Sequence, residues 1–176
     1  GYDAVTNAGV GAFFTTVAFR LGHSQAPDQF DLLNADGSQT LESALTSQQA
    51  SFNTSPIVAH GVEPLLRGML VQSVEEVDLR VVNSLRNMLF GPPGSGGLDL
   101  PSLSIQRARD LGLPSYNQAR VEFGLAAVRS FDEISSDSDT VARLEAAYDS
   151  VDDIDPFVGG LAEDHVAGST LGPLFH

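Results

Sequence analysis

Apolar residues recur at helical spacing along most of the chain and alternate at strand spacing almost nowhere. Ala12, Phe13, Thr16, Val17 and Phe19 give residues 6–23 more than one apolar face, as in a buried helix. Gly9, Gly11 and Gly22 weaken that helix at both ends. In the tract QAPDQFDLLNADGSQTL, Asp36-Gly37 reads as a tight turn, with a small hairpin between residues 30–33 and 40–41. Residues 42–52 read as loosely helical or irregular. Helices are expected over 57–71 and 75–90, the latter carried by Val77, Val81, Leu85, Met88 and Leu89. GPPGSGG then breaks the chain. Short helices fit 103–111 and 116–123, and Ser138 or Asp139 caps another that runs to Tyr148. The glycine-rich remainder, VDDIDPFVGGLAEDHVAGSTLGPLF, reads as irregular. This pattern predicts a mainly α fold with little β, and no internal repeat.

Composition narrows the chemistry. The 176 residues carry 9 basic against 23 acidic side chains, a net charge of -14, and every base is arginine. That balance argues against a nucleic-acid partner and against adhesion to acidic lipid. Cysteine is absent, which removes disulfides, thiolate metal sites and cysteine nucleophiles. No apolar stretch is long enough for a membrane span, and the start, GYDAVTNAGVG, has no signal-peptide pattern. Eleven acids fall within residues 131–165, with Arg143 as the sole base, and read as a solvated acidic face.

Among the four histidines, His176 is terminal and His60 reads as a capping or structural residue. His165 lies beside Glu163 and Asp164 without a second histidine at ligand spacing, which disfavours zinc. AFRLGH places Arg20 and His23 at i and i+3, on one face of a helix end. Two readings stay open on spacing alone. His23 hydrogen-bonds late helix carbonyls, or it is an axial haem ligand beside a guanidinium that meets a propionate. In IQRARD, Ser104 and Arg107 share a face, and the arginines either pair within the packed structure or hold an anion. NADGSQTLE has oxygen ligands but the wrong glycine position for a calcium loop, so a turn is expected there. GPPGSGG lacks the lysine of a phosphate loop, and no serine elbow or zinc-protease motif occurs.

TTVAFRLGHS together with GLDLPSLSIQRARDLGLPSYNQAR closely resembles the animal-type haem peroxidases of the peroxidase–cyclooxygenase superfamily. FDLLNADG, LLRGML, ISSDSDTVARLEAAYDSVDDIDPFVGGLAE and GSTLGPLF extend the resemblance over almost the whole chain. It implies a mainly α-helical fold that holds haem b between a distal and a proximal helix. By motif match, His23 is similar to the proximal ligand of the iron, and Arg20 and Arg107 to arginines that contact the propionates. Leu100 and Leu103 match apolar residues near the proximal face, whereas Asp110, Tyr116 and Asn117 take structural roles.

Two departures stand out. Where the family has an asparagine that accepts the proximal histidine's outer hydrogen bond, this chain has Ser104, which implies a raised reduction potential or weaker haem retention. Leu111 replaces the histidine of RDHG, which reads as a packing change. The resemblance places the distal histidine, its arginine, a calcium loop and the carboxylates for covalent haem attachment before Gly1, and the last helices after the GPLF segment. Residues 1–176 are therefore expected to be the proximal part of one peroxidase domain. No catalytic residue is assigned within them, and a companion distal portion is implied as partner. The implied function is peroxidation of halide or small organic donors by hydrogen peroxide, in a secreted or extracellular protein. The alternatives are a non-catalytic structural or adhesion module and a haem-dependent fatty-acid dioxygenase. Absence of both cysteine and lysine is associated with bacterial secreted proteins.

Overall fold

The computed structural model describes residues 5, 9–51, 53–91 and 96–176, with only the backbone described at 41–43. The chain divides into two compact units, one formed by Gly1–Leu21 with Ser102–His176 and the other by Gly22–Pro101. Both agree with a mainly α fold.

The second unit is built on a hairpin. β1 (Gln29–Leu33) pairs antiparallel with β2 (Gln39–Thr46), with Phe30 opposite Leu45 and an irregularity between Asp31 and Leu33. The turn lies where Asp36-Gly37 predicts it, and Gly37 adopts φ +83°, a conformation that favours glycine. β2 is longer than expected and takes in residues that read as irregular. A capping box at Thr46 and Gln49 then starts α2 (Ser47–Ala50).

The helix expected over 57–71 is two helices, α3 (Ser55–His60) and α4 (Glu63–Val71), split at Gly61 with φ +76°. α4 lies across β1. Gln72 brackets the strand, its Nε2 donating to the Gln29 carbonyl at 2.7 Å and its Oε1 accepting from Asp31 N–H at 3.4 Å. Gly68 is where the backbones meet, since a Cβ there would fall 1.8 Å from the Asp31 carbonyl oxygen.

The helix expected over 75–90 does not form. Only α5 (Asn83–Arg86) is helical there. Val77 and Val81 are buried as their spacing suggests, at 3% and 6% exposure, but on non-helical backbone. The Ser24 hydroxyl engages the main chain at residues 76 and 78, and the Asp78 carboxylate accepts from Arg80 N–H at 2.7 Å. These side-chain bonds compete with a helical ladder. Residues 92–95 of GPPGSGG, like residues 6–8 of the first expected helix, lie outside the described residues.

In the first unit, α1 (Ala12–Thr16) stops early and the chain continues as a 3-10 turn, Ala18–His23, whose last two residues enter the second unit. Thr15 Oγ1 bonds back to the Gly11 and Ala12 carbonyls at 3.3 and 3.2 Å, and such back-bonding bends helices. α6 (Leu100–Asp110), α7 (Tyr116–Glu122) and α8 (Ser138–Ala147) lie close to their expected spans. The cap of α8 is Asp137, one residue before the expected pair, and its carboxylate accepts from Asp139 N–H and the Thr140 hydroxyl.

The tail expected to be irregular contains α9 (Pro156–Ala162), nearly all of it buried. Its two glycines are required by packing, because a Cβ at Gly159 would meet the Tyr116 ring and one at Gly160 the Phe175 ring, each at 2.3 Å. Tyr116, Leu144, Ile154, Phe157 and Leu161 are all at most 3% exposed and form the centre of this unit's core. No described helix is long and apolar enough to cross a membrane.

Candidate functional site

Arg20 and His23 fall in the single 3-10 turn, not on an α-helix end. At three residues per turn, i and i+3 eclipse, so the pair shares one side of the turn more closely than in an α-helix. Arg20 Nε donates to the Thr15 carbonyl at 2.9 Å, which fixes the stem of the side chain. Its terminal guanidinium nitrogens make no hydrogen bond among the described residues. His23 is half-buried, with Nδ1 shut away from solvent.

The remaining candidates lie on α6. Ser104 and Ala108, at i and i+4, form its buried face at 1% and 2% exposure. Leu103 is 37% exposed, Leu100 is half-buried at the first helical position, and Arg107 is exposed. Arg107 has no side-chain partner among the described residues. Arg109, two residues on, is engaged. Its Nε and Nη2 grip the two oxygens of buried Asp155 at 2.8 and 2.7 Å, and Tyr148 donates to the same carboxylate at 2.9 Å. The alternatives left open for the arginines thus divide, with Arg109 in the packed structure and Arg107 available for an anion. Leu111, expected to be a packing residue, is instead 55% exposed at the end of α6. Arg20, Leu103, Ser104 and Arg107 belong to the first unit, and His23 and Leu100 to the second.

Chemically this set fits haem. Haem requires an imidazole for the iron and cationic fork donors for two propionates. His23 supplies the first. Among the described residues, Arg107 offers a guanidinium without a competing carboxylate, and Arg20 one held through its Nε alone.

The acidic tract is more than a solvated face. Asn117 Nδ2 donates to Asp152 at 2.7 Å and to the Val128 carbonyl at 2.9 Å, which bears out its structural role. Glu163 is 5% exposed and accepts from the Tyr116 hydroxyl at 2.8 Å, from Arg120 Nη1, and from Leu174 N–H at 2.6 Å. Burial outweighs these donors and pushes the Glu163 carboxyl above its ordinary range. Burial, then the Glu163 charge, pushes the Tyr116 phenol up as well. Asp164 accepts from the Ser135 hydroxyl and Ser136 N–H. Both acids beside His165 are thus engaged by the protein. Among the described residues, no group of three or more His, Asp or Glu side chains could hold a metal ion. NADGSQTLE is a self-bonded turn, with Asp36 accepting from Ser38 N–H at 3.0 Å and Asn34 Nδ2 donating to the Gln39 carbonyl at 3.1 Å.

The ion-paired clusters Arg109–Asp155–Tyr148 and Arg120–Glu163–Tyr116 are not legible in the sequence. Their acids lie 46 and 43 residues from their arginines. The one signal for them is the excess of acids in 131–165 over local bases.

The sequence matches the animal haem peroxidase family across residues 1–176. It is 46% identical to peroxinectin A of Dictyostelium discoideum over 176 residues, covering 100% of this chain and 33% of that protein. It is 35% identical to pig (Sus scrofa) thyroid peroxidase over 181 residues, covering 99% of this chain and 20% of that protein. The chain therefore spans about a third or less of these relatives, which are eukaryotic; the bacterial source suggested by composition draws nothing from them. Among solved structures, peroxidase A from Dictyostelium discoideum superposes with a TM-score of 0.94 at 46% identity, over 99% of this chain and 34% of that one. A fatty acid alpha-dioxygenase from Oryza sativa gives 0.80 at 23% identity, over 94% of this chain and 29% of that one, a likeness of fold. With the motifs around His23 and Arg107 in place and the family matched from end to end, this chain belongs to the animal haem peroxidase family.

Proposed function

We propose that this chain provides the proximal side of haem b in a peroxidase that uses hydrogen peroxide to oxidise halide or small organic donors. His23 would ligate the iron, Arg20 and Arg107 would hold the propionates, and Ser104 stands at the sequence position of the family's asparagine partner of the proximal histidine. Leu100 and Leu103 pack near the proximal face. The observation that carries this reading is the pairing of Arg20 and His23 on one 3-10 turn. The Arg107 guanidinium, which has no side-chain partner among the described residues, supports it.

Haem, when bound, supplies the redox chemistry that reduces peroxide. The contribution of this chain is to bind and orient it. The imidazole of His23 would donate a lone pair, and the hydrogen-bond partner of its other nitrogen would tune that donation. The guanidinium groups of Arg20 and Arg107 would neutralise the propionates through charge-assisted bonds. Proton handling on the peroxide side belongs to residues outside this chain, as do any covalent haem linkage and calcium site. In this reading the rest of the domain covers the exposed Phe14, Phe19, Leu103 and Phe123, and the complete protein acts outside the cell.

Titration of the full-length protein with ferric protoporphyrin IX, with and without the His23→Ala change, tests this reading. A stoichiometric Soret band that the change abolishes or shifts is expected. A protein that takes up no haem would favour a structural or adhesion module instead. The dioxygenase alternative draws on likeness of fold, and oxidation of a fatty acid in place of halide would establish it.

A further inference from the structure

Ser24, the residue after His23, is 0% exposed although its side chain is polar. Its hydroxyl lies 2.8 Å from the Glu76 carbonyl and 2.7 Å from the Asp78 carbonyl, and accepts from Asp78 N–H at 2.8 Å. With one proton, it donates to one carbonyl at a time and accepts from the amide throughout. Glu75 N–H adds a bond to the Gln25 carbonyl at 3.2 Å. The receiving segment is itself held. Val77 and Val81 are buried, and Asp78 binds Arg80 through its backbone N–H at 2.7 Å and its guanidinium at 3.2 Å. Ser24 and His23 belong to the same unit as this segment. On the other side of His23, Arg20 closes the turn onto the Thr15 carbonyl.

We infer that Ser24 is a positioning residue for His23, clamping the main chain beside the imidazole to residues 75–78 so that the ring is oriented before haem binds. The inference rests on His23 being the axial ligand. A ligand held by a buried, fully bonded neighbour loses little freedom on binding, so metal–ligand geometry is narrow and dissociation slow. Alanine at 24 would leave Asp78 N–H without its buried acceptor and release the clamp.

The full-length protein, loaded with ferric protoporphyrin IX, is compared as wild type, Ser24→Ala, Ser24→Thr and His23→Ala. The readouts are haem transfer to apomyoglobin and the iron–histidine stretching band of the ferrous form. Ser24→Ala is expected to lose haem about tenfold faster, the effect of one buried hydrogen bond, and to broaden or shift the band. Ser24→Thr retains the hydroxyl and stays near wild type. A band that survives His23→Ala unchanged would overturn the ligation reading itself. If that change removes the band while Ser24→Ala keeps the wild-type band and transfer rate, Ser24 is only structural and the inference fails. Should Ser24→Ala not fold, amide exchange in the wild type decides. Ligation is reciprocal with the clamp, so haem must slow exchange of Asp78 N–H more than that of Ser47 N–H, which bonds the Asp28 carbonyl in the same unit. Equal slowing refutes the clamp.

Discussion

Arg109 grips Asp155 through two parallel bonds of 2.8 and 2.7 Å, while Arg107, two residues earlier on the same helix, points into the open. Two arginines in one motif are thus assigned opposite duties. Arg109→Ala should lower stability by about 1–3 kcal/mol, because among the described residues the buried Asp155 carboxylate then keeps Tyr148 alone. Arg107→Ala should leave stability within about 0.5 kcal/mol and weaken haem retention. Urea unfolding and haem transfer, run on both variants, check the division.

Ser104 is 1% exposed, so its replacement acts inside the packed protein. Asparagine is a better acceptor for the outer N–H of an imidazole, and a more basic ligand favours ferric iron. Ser104→Asn should therefore lower the haem reduction potential, by about 59 mV for each tenfold change in relative affinity for the two oxidation states. Spectroelectrochemistry on a variant with a wild-type unfolding midpoint measures it. An unchanged potential would remove Ser104 from the site.

Gly68 marks the closest approach of α4 to β1. A methyl group 1.8 Å from the Asp31 carbonyl oxygen cannot be accommodated by turning a side chain, because the obstacle is backbone. Gly68→Ala should cost about 1–3 kcal/mol through overpacking, despite alanine's better helix propensity. A rise in the thermal midpoint would contradict the packing described.

Asp164 ties residues 134–136 to the end of α9, its carboxylate accepting from Ser136 N–H and the Ser135 hydroxyl. Burial pushes this carboxyl up, but the hydrogen bonds, with a smaller contribution from His165, hold it below the ordinary 3.8. A folded-state value depressed below the unfolded one contributes stability above pH 3.8 that is lost as pH falls through the folded value. Asp164→Asn should therefore lower the urea midpoint at pH 7, and the deficit should shrink as pH drops below 3.8. A deficit independent of pH would assign the effect to shape, not charge.

Local signals make much of this fold legible. α6, α7 and α8 fall near their expected spans because apolar spacing coincides with local stop and start signals, among them a capping box at Ser115 and Gln118 for α7 and the Asp137 cap for α8. The motif residues Arg20, His23, Ser104 and Arg107 stand out through spacing and resemblance. Some failures are local, such as the back-bonding of Thr15 that ends α1 and the break at Gly61, and the others come from distant partners. Val77 and Val81 have helical spacing, yet the Ser24 hydroxyl, 54 residues before Asp78, holds that stretch out of a helix. Gly159 and Gly160 look like loop residues until the rings of Tyr116 and Phe175 are placed against them. Composition records the excess acids of 131–165 but not their arginine and tyrosine partners.

Ligation of the haem iron by His23 has one direct test. A His23→Gly variant of the full-length protein leaves space for a free imidazole while keeping the haem pocket. If His23 is the ligand, this variant binds ferric protoporphyrin IX with an altered Soret band, and added imidazole restores the wild-type spectrum saturably. A variant whose spectrum matches the wild type without imidazole would show that another residue ligates the iron.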